Sequence, residues 1–169
     1  TFEPAPLSRG EQLLRDAGWD GRRKILVVCP INPFWWPVKP DLLKAAAHTF
    51  GGQFKHEHYK SVYFHHHSDK ADRQYDTYLQ ALADAINAFA QEKDIFTILV
   101  GMEQLDRRAC EDLNPRLETE APLFISDTHQ MYDLVSVLRN CNMMISSRFH
   151  AIVTSMPGLV PSAGVPLDE

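Results

Sequence analysis

The chain is short of the residues that would make it anything other than an ordinary folded domain. Its 169 residues include three cysteines, Cys29, Cys110 and Cys141, odd in number, far apart and in no CxxC pair. That excludes a disulfide framework and a cysteine-based zinc site, and it reads as buried, reduced thiols of a cytosolic protein. No apolar run approaches the roughly 18 residues that span a bilayer, and no signal-peptide pattern is present. Basic side chains are in deficit: 17 Lys and Arg stand against 22 Asp and Glu, a net charge of −5. A broad surface tracking nucleic-acid phosphates needs the opposite balance. Glycine is scarce, eight in all, and neither GxGxxG nor GxxxxGK[ST] occurs, which removes the usual dinucleotide and P-loop signatures. The chain starts at Thr1 and stops at Asp168-Glu169, so it is expected to be a piece of a longer protein.

What is present is an alternation of short apolar strands with helices. Ser8-Arg9-Gly10-Glu11 has the form of a capping box, with Leu13, Leu14 and Ala17 following at helical spacing up to Gly18. Lys24 to Cys29 is a continuous apolar run of the kind buried on both faces of a parallel sheet. Proline-rich PINPFWWPVKP separates it from a helix starting near Asp41, and residues 51–67 show only a short extended stretch in HEHYKSVYFH. Ser68 caps a long helix over 69–92, whose apolar face is Tyr75, Tyr78, Leu79, Leu82, Ile86, Phe89 and Ala90. Further strands are expected over 95–100, 122–126, 142–146 and 159–162. Helices are expected between them over 103–113, over 129–141 with Asp127 as its cap, and over 149–156. The pattern implies parallel βαβ units and a Rossmann-like α/β domain. Residues 1–20 are expected as an N-terminal helix and linker, and residues 21–169 as the domain.

In open α/β sheets, ligands collect beyond the carboxyl ends of the strands. The strand ends here are Pro30 to Trp36, Gly101-Met102-Glu103, Asp127-Thr128-His129, and Ser146-Ser147-Arg148-Phe149-His150. The last is the most informative, because two serines, a guanidinium and an imidazole open a helix whose N-terminus favours an anion. Arg148 can grip a carboxylate or phosphate through paired hydrogen bonds. Imidazole is the side chain that changes charge near neutral pH, so His150 can donate to an anion or move a proton. The plainer reading keeps Ser147 as a helix cap, Arg148 as half of an ion pair and His150 as a core histidine.

The stretch from about Leu123 to Asp168 resembles the C-terminal part of the polysaccharide pyruvyl transferase family. The residues that carry the likeness are Asp127 at a strand end, Leu138-Arg139-Asn140-Cys141, and then MMISSRFHAIVTSMPGLVPSAGV. The resemblance implies one half of a two-lobed, glycosyltransferase-B-like fold, with the N-terminal lobe lying outside this chain. It implies transfer of pyruvate from phosphoenolpyruvate to a sugar of a bacterial cell-surface glycan such as an exopolysaccharide, as a ketal, with phosphate released. The family's donor-binding Arg and His carry over to Arg148 and His150, with Ser146 and Ser147 beside them. No organic cofactor or metal is implied, phosphoenolpyruvate being a co-substrate, and the acceptor is a saccharide or lipid-linked glycan. The place implied is the cytoplasm, or the inner face of the membrane as a peripheral protein.

Trp35 and Trp36 follow the first strand and could stack on a sugar ring, or pack under the proline-rich loop. Lys39 adds a charge for an anionic substrate, or is a solvated loop residue. His56, His58, His65, His66 and His67 form a conspicuous tract, but sequential imidazoles on a strand point to alternate faces and do not converge on one ion. Arg107-Arg108 reads as solvated, and His129 as a weak cleft candidate. Two other functions remain open at this point. One is a nucleotide-sugar-dependent glycosyltransferase or epimerase-like domain, with Arg148 facing a diphosphate. The other is a non-catalytic Rossmann-like binding module using the tryptophan loop and histidine tract.

Overall fold

The computed structural model describes residues 7–35, 38–53, 58–65 and 68–166. The chain divides into two compact units, Thr1–Ile31 with Gln80–Glu169, and Asn32–Leu79.

The first unit is built on β1 (Lys24–Cys29), β5 (Ile95–Gly101), β6 (Leu123–Ile125), β7 (Met143–Ser146) and β8 (Ser162–Gly164). These form one parallel sheet in the order β6-β5-β1-β7-β8, so the Rossmann-like α/β expectation holds. Strand β1 is central, which is why Ile25 to Cys29 can all be apolar and all be buried. Ile25, Val27 and Cys29 share a core with Leu14, Leu134, Val137, Leu138 and Ala151. Those partners come from α1 (Leu7–Asp16), α5 (Met131–Arg139) and α6 (Phe149–Ser155). Leu26 and Val28 alternate to the other face and are equally buried. Helix α4 (Asp106–Leu113) follows β5. Asn142, just ahead of β7, ties the two strands at their start: its Oδ1 accepts from the Ile25 N–H at 2.8 Å and its own N–H donates to the Ile25 carbonyl at 3.0 Å.

Helix α1 packs on α5 inside this unit. The Gly10 N–H donates to the buried Ser136 Oγ at 2.7 Å, and Asn140 Nδ2 donates to the Leu7 carbonyl at 2.9 Å. The expected capping box is not made, because the helix is already running at Leu7. Glu11 instead pairs with Arg15 one turn on, at 2.8 Å.

The second unit holds a small antiparallel sheet, β2 (Lys39–Pro40), β3 (His58–Lys60) and β4 (Tyr63–Phe64), in the order β2-β4-β3. It also holds α2 (Leu42–Gly51), started by Asp41, whose side chain accepts from the Lys44 N–H. The extended stretch expected within residues 51–67 is this hairpin, turned at Ser61 with φ 55°. Helix α3 (Asp69–Glu92) begins in this unit and ends in the first. It has the bounds its period implies, with Ser68 Oγ accepting from the Ala71 N–H at 3.2 Å. Its buried side includes Tyr75, Leu79, Leu82 and Ile86 as expected, joined by Ala71 and Ala83, whereas Ala90 is exposed.

Several boundaries move. The helix expected from 103 starts at Asp106, and the one expected from 129 starts at Met131. The last strand is Ser162–Gly164 and not 159–162, because Leu159 sits in the left-handed region at φ 56° and ends a 3-10 turn. Among the described residues, no helix is long and apolar enough to cross a membrane.

Candidate active site

Strand order places one crevice. From β1 the chain goes to β5 on one side, and from β6 it crosses back to β7 on the other side of β1. The connections therefore diverge between β1 and β7, the switch point where open α/β sheets take their ligands. Cys29 and Ser146, the last residues of these strands, are paired in register. The Ser147 N–H donates to the Cys29 carbonyl at 3.1 Å. The motif singled out in the sequence lies at this point.

Ser146 shapes the turn and does not face solvent. It is 2% exposed. Its Oγ accepts from the Arg148 N–H at 2.9 Å and donates to the Arg148 carbonyl at 3.0 Å. Its one hydroxyl hydrogen is spent on the local backbone, where it holds the turn that carries Arg148. The N-cap position expected for Ser147 falls one residue later. Arg148 occupies the N-cap position with extended backbone and without a side-chain cap bond. Helix α6 has seven residues, one fewer than the eight expected. His150 lies in its first turn, exposed, with its ring edge-on to Phe149 at 6.0 Å.

The Arg148 side chain turns inward across the end of β1 towards β5. Its Nε donates to Asp106 Oδ1 and Oδ2 at 3.1 and 3.0 Å, and its Nη2 donates to Asp106 Oδ1. The same Nη2 donates to Glu103 Oε2 at 3.3 Å. Its Nη1 meets no hydrogen-bond partner among the described residues. Asp106 is 2% exposed and Glu103 54% exposed. Asp106 also accepts from the Glu103 N–H at 3.0 Å, while its own N–H donates to the Glu103 carbonyl at 3.0 Å. The two bonds, one to a side chain and one a backbone turn, fix the approach to α4. Room for the aspartate comes from Gly101, where an added Cβ would lie 3.0 Å from Asp106 Cβ and from Ile125 Cδ1.

The electrostatics follow from burial. Asp106 is held above the ordinary aspartate range chiefly by loss of solvent, opposed by the Arg148 hydrogen bond and charge. Burial pulls against the charge of Arg148 as well, but the Asp106 bond and the two carboxylates outweigh it and raise its pKa. Beneath them, burial pushes the Cys29 thiol up to about 12. The ion pair of the plainer reading is therefore present, with a buried aspartate as its partner. Asp106 and Glu103 carry no sequence signal as partners of Arg148. They are 42 and 45 residues away from it, joined to it only because β5 and β7 both flank β1.

The remaining candidates fall elsewhere. Asp127 does not cap α5; Gln130 holds that position without a side-chain bond. Asp127 instead takes a two-pronged contact from Arg107, Nε at 2.7 Å and Nη2 at 2.6 Å. Arg107, expected to be solvated, is engaged there and at Glu111. His129 Nδ1 lies 3.0 Å from Thr128 Oγ1. Lys39 is exposed on β2, opposite Phe64, and Trp35 ends a single 3-10 turn, Pro33–Trp35. Both belong to the Asn32–Leu79 unit, whereas Ser146 to His150 belong to the other. Trp36, His56, His66 and His67 lie outside the described residues. His58 stacks on His48 at 4.2 Å and His65 is buried. Among the described residues, no group of three or more His, Cys, Asp or Glu is arranged to hold a metal ion. An apolar hollow of about 360 Å³ between Leu26, Phe89, Met143, Ile145 and Ala163 contains none of the site's charged side chains.

No curated protein and no solved structure matches the chain. A family model described as polysaccharide pyruvyl transferase matches residues 8–167. That match takes in both compact units and the strand-end motif alike, and the chain belongs to the polysaccharide pyruvyl transferase family.

Proposed function

We propose that this domain binds phosphoenolpyruvate at the carboxyl end of β7 and serves its transfer to a sugar as a pyruvate ketal. The observation that carries the reading is the place of Arg148 and His150 at the β1/β7 switch point, with the guanidinium anchored on one edge by Asp106 and its Nη1 unengaged by the described residues. Arg148 takes the donor's carboxylate or phosphate through that outer fork. His150, exposed in the first turn of α6, is the acid.

The chemistry balances with these groups. A proton from the imidazolium goes to the methylene carbon of the donor, and a sugar hydroxyl adds to the adjoining carbon. The C–O bond to phosphate breaks, and a second hydroxyl of the sugar closes the ketal. The two hydroxyl hydrogens are accounted for by the new methyl group and the departing hydrogen phosphate, so His150 ends as it began. Trp35, Trp36 and Lys39 are assigned to the acceptor, by stacking and charge. The acceptor is a saccharide or lipid-linked glycan of a bacterial surface polymer, held in part by the second lobe of a two-lobed fold. The reaction is assigned to the cytoplasm, where three buried free thiols stay reduced.

The test is ketal formation and phosphate release by the full-length protein. His150→Ala, at an exposed position, should leave the fold intact and lower turnover about 10²- to 10⁴-fold. Wild-type turnover in that variant would overturn the assignment of the acid. Tight binding of a uridine diphosphate sugar with no competition from phosphoenolpyruvate would replace the donor altogether.

A further inference from the structure

Two carboxylates share one guanidinium at the strand ends, and they are not equivalent. Asp106 is buried, is reached by both Nε and Nη2 of Arg148, and is fixed again by the Glu103 N–H. Glu103 offers one oxygen to Nη2 at 3.3 Å from a side chain that is 54% exposed. A guanidinium presents its five N–H groups in a plane as a side edge and an end fork. The side edge, Nε with Nη2, is taken by Asp106. The end fork, Nη1 with the remaining Nη2 hydrogen, carries only Glu103 among the described residues, by one of its two positions.

We propose that Glu103 is a displaceable placeholder on Arg148, occupying the half-fork that the anionic group of the donor takes when it binds, while Asp106 is the positioning residue that keeps the guanidinium in place during the exchange. The inference rests on the reading of Arg148 as a donor ligand. Its physical basis is charge. With both carboxylates on it, Arg148 is more than neutralised, and a donor carrying a carboxylate and a phosphate would meet a net negative site. Release of Glu103 removes one like charge and frees the fork in one movement. The buried Asp106 cannot leave in the same way, because its carboxylate would remain without solvent. An exposed pair of the Glu103–Arg148 kind is weak enough to be given up on binding, and the cost of giving it up appears as a reduced apparent affinity.

The experiment uses the full-length enzyme, with phosphoenolpyruvate binding followed by calorimetry and by initial rates. Glu103→Gln should lower the dissociation constant and the KM for phosphoenolpyruvate about three- to tenfold, with the gain vanishing at saturating donor. Glu111→Gln, which removes an exposed carboxylate of α4 from Arg107, should leave both constants unchanged. Arg148→Lys keeps the charge but loses the fork, and should raise KM well above wild type. A Glu103→Gln enzyme with an unchanged or raised KM, alongside a raised KM in Arg148→Lys, overturns the placeholder and spares the donor site. An unchanged KM in Arg148→Lys overturns the donor reading and this inference with it.

Discussion

The Gly10 N–H and the Ser136 Oγ meet at 2.7 Å across the α1–α5 contact, where a Cβ on residue 10 would overlap the Ser136 carbonyl and lie 2.6 Å from its hydroxyl oxygen. Ala in place of Gly inside a helix ordinarily stabilises by about 1 kcal/mol. Here the sign reverses: Gly10→Ala should cost about 1–3 kcal/mol by overpacking and by breaking the buried hydrogen bond. Urea unfolding of the two proteins decides it, and a gain in stability would contradict the close approach of the two helices.

Leu159 is the converse case. It holds φ 56° while the residue is 89% exposed. A non-glycine residue in this region costs roughly 1–2 kcal/mol and here gains little burial in return. Leu159→Gly should therefore stabilise the protein by about 0.5–1 kcal/mol, after allowing for the greater freedom of glycine in the unfolded chain. A higher midpoint in thermal unfolding is the expected result.

The Arg107–Asp127 pair makes a prediction for acid. The Arg107 hydrogen bond, with its charge, holds the Asp127 carboxyl below its ordinary value of 3.8. The folded state thus binds this proton less readily than the unfolded state. The pair's contribution is complete above pH 3.8 and is lost as pH falls through the depressed folded value. Both side chains are partly exposed, so the contribution is about 0.5–1 kcal/mol. Asp127→Asn should lower stability by that amount at neutral pH and converge with wild type in strong acid. Parallel pH–stability curves would show the pair to be without net effect.

All three thiols should be silent in the native protein. Burial pushes Cys29 up to about 12 and raises Cys110 and Cys141 as well. Since the thiolate is the reactive form, a thiol reagent at about pH 8 should modify native protein only as fast as it opens, and three groups per chain in denaturant. Rapid stoichiometric labelling of the native form would place at least one cysteine at the surface.

Much of the fold is legible locally. The run Lys24 to Cys29 and the period of residues 69–92 define β1 and α3 to the residue, because a fully buried strand and a long one-sided helix repeat a single demand many times over. Short elements were displaced where a local signal had a rival. Asp127 looks like a helix cap, yet its carboxylate gains more from a two-pronged arginine than from a single backbone N–H. Ser8 looks like a cap because the pattern S-x-x-E recurs without regard to where a helix begins.

The strand-end position of Ser146 to His150 and the likeness to pyruvyl transferases both follow from the order of residues along the chain. Such properties depend on neighbours a few positions apart. The environment of Arg148 does not. Asp106 and Glu103 reach it only after β5 and β7 have docked on either side of β1, and a Cβ at Gly101 would crowd Asp106 at 3.0 Å. Burial then raises Asp106, whereas its neighbour Glu103 stays exposed to solvent. Charge interactions depend on distance in space and on access to water, and neither is written in the spacing of residues along a chain.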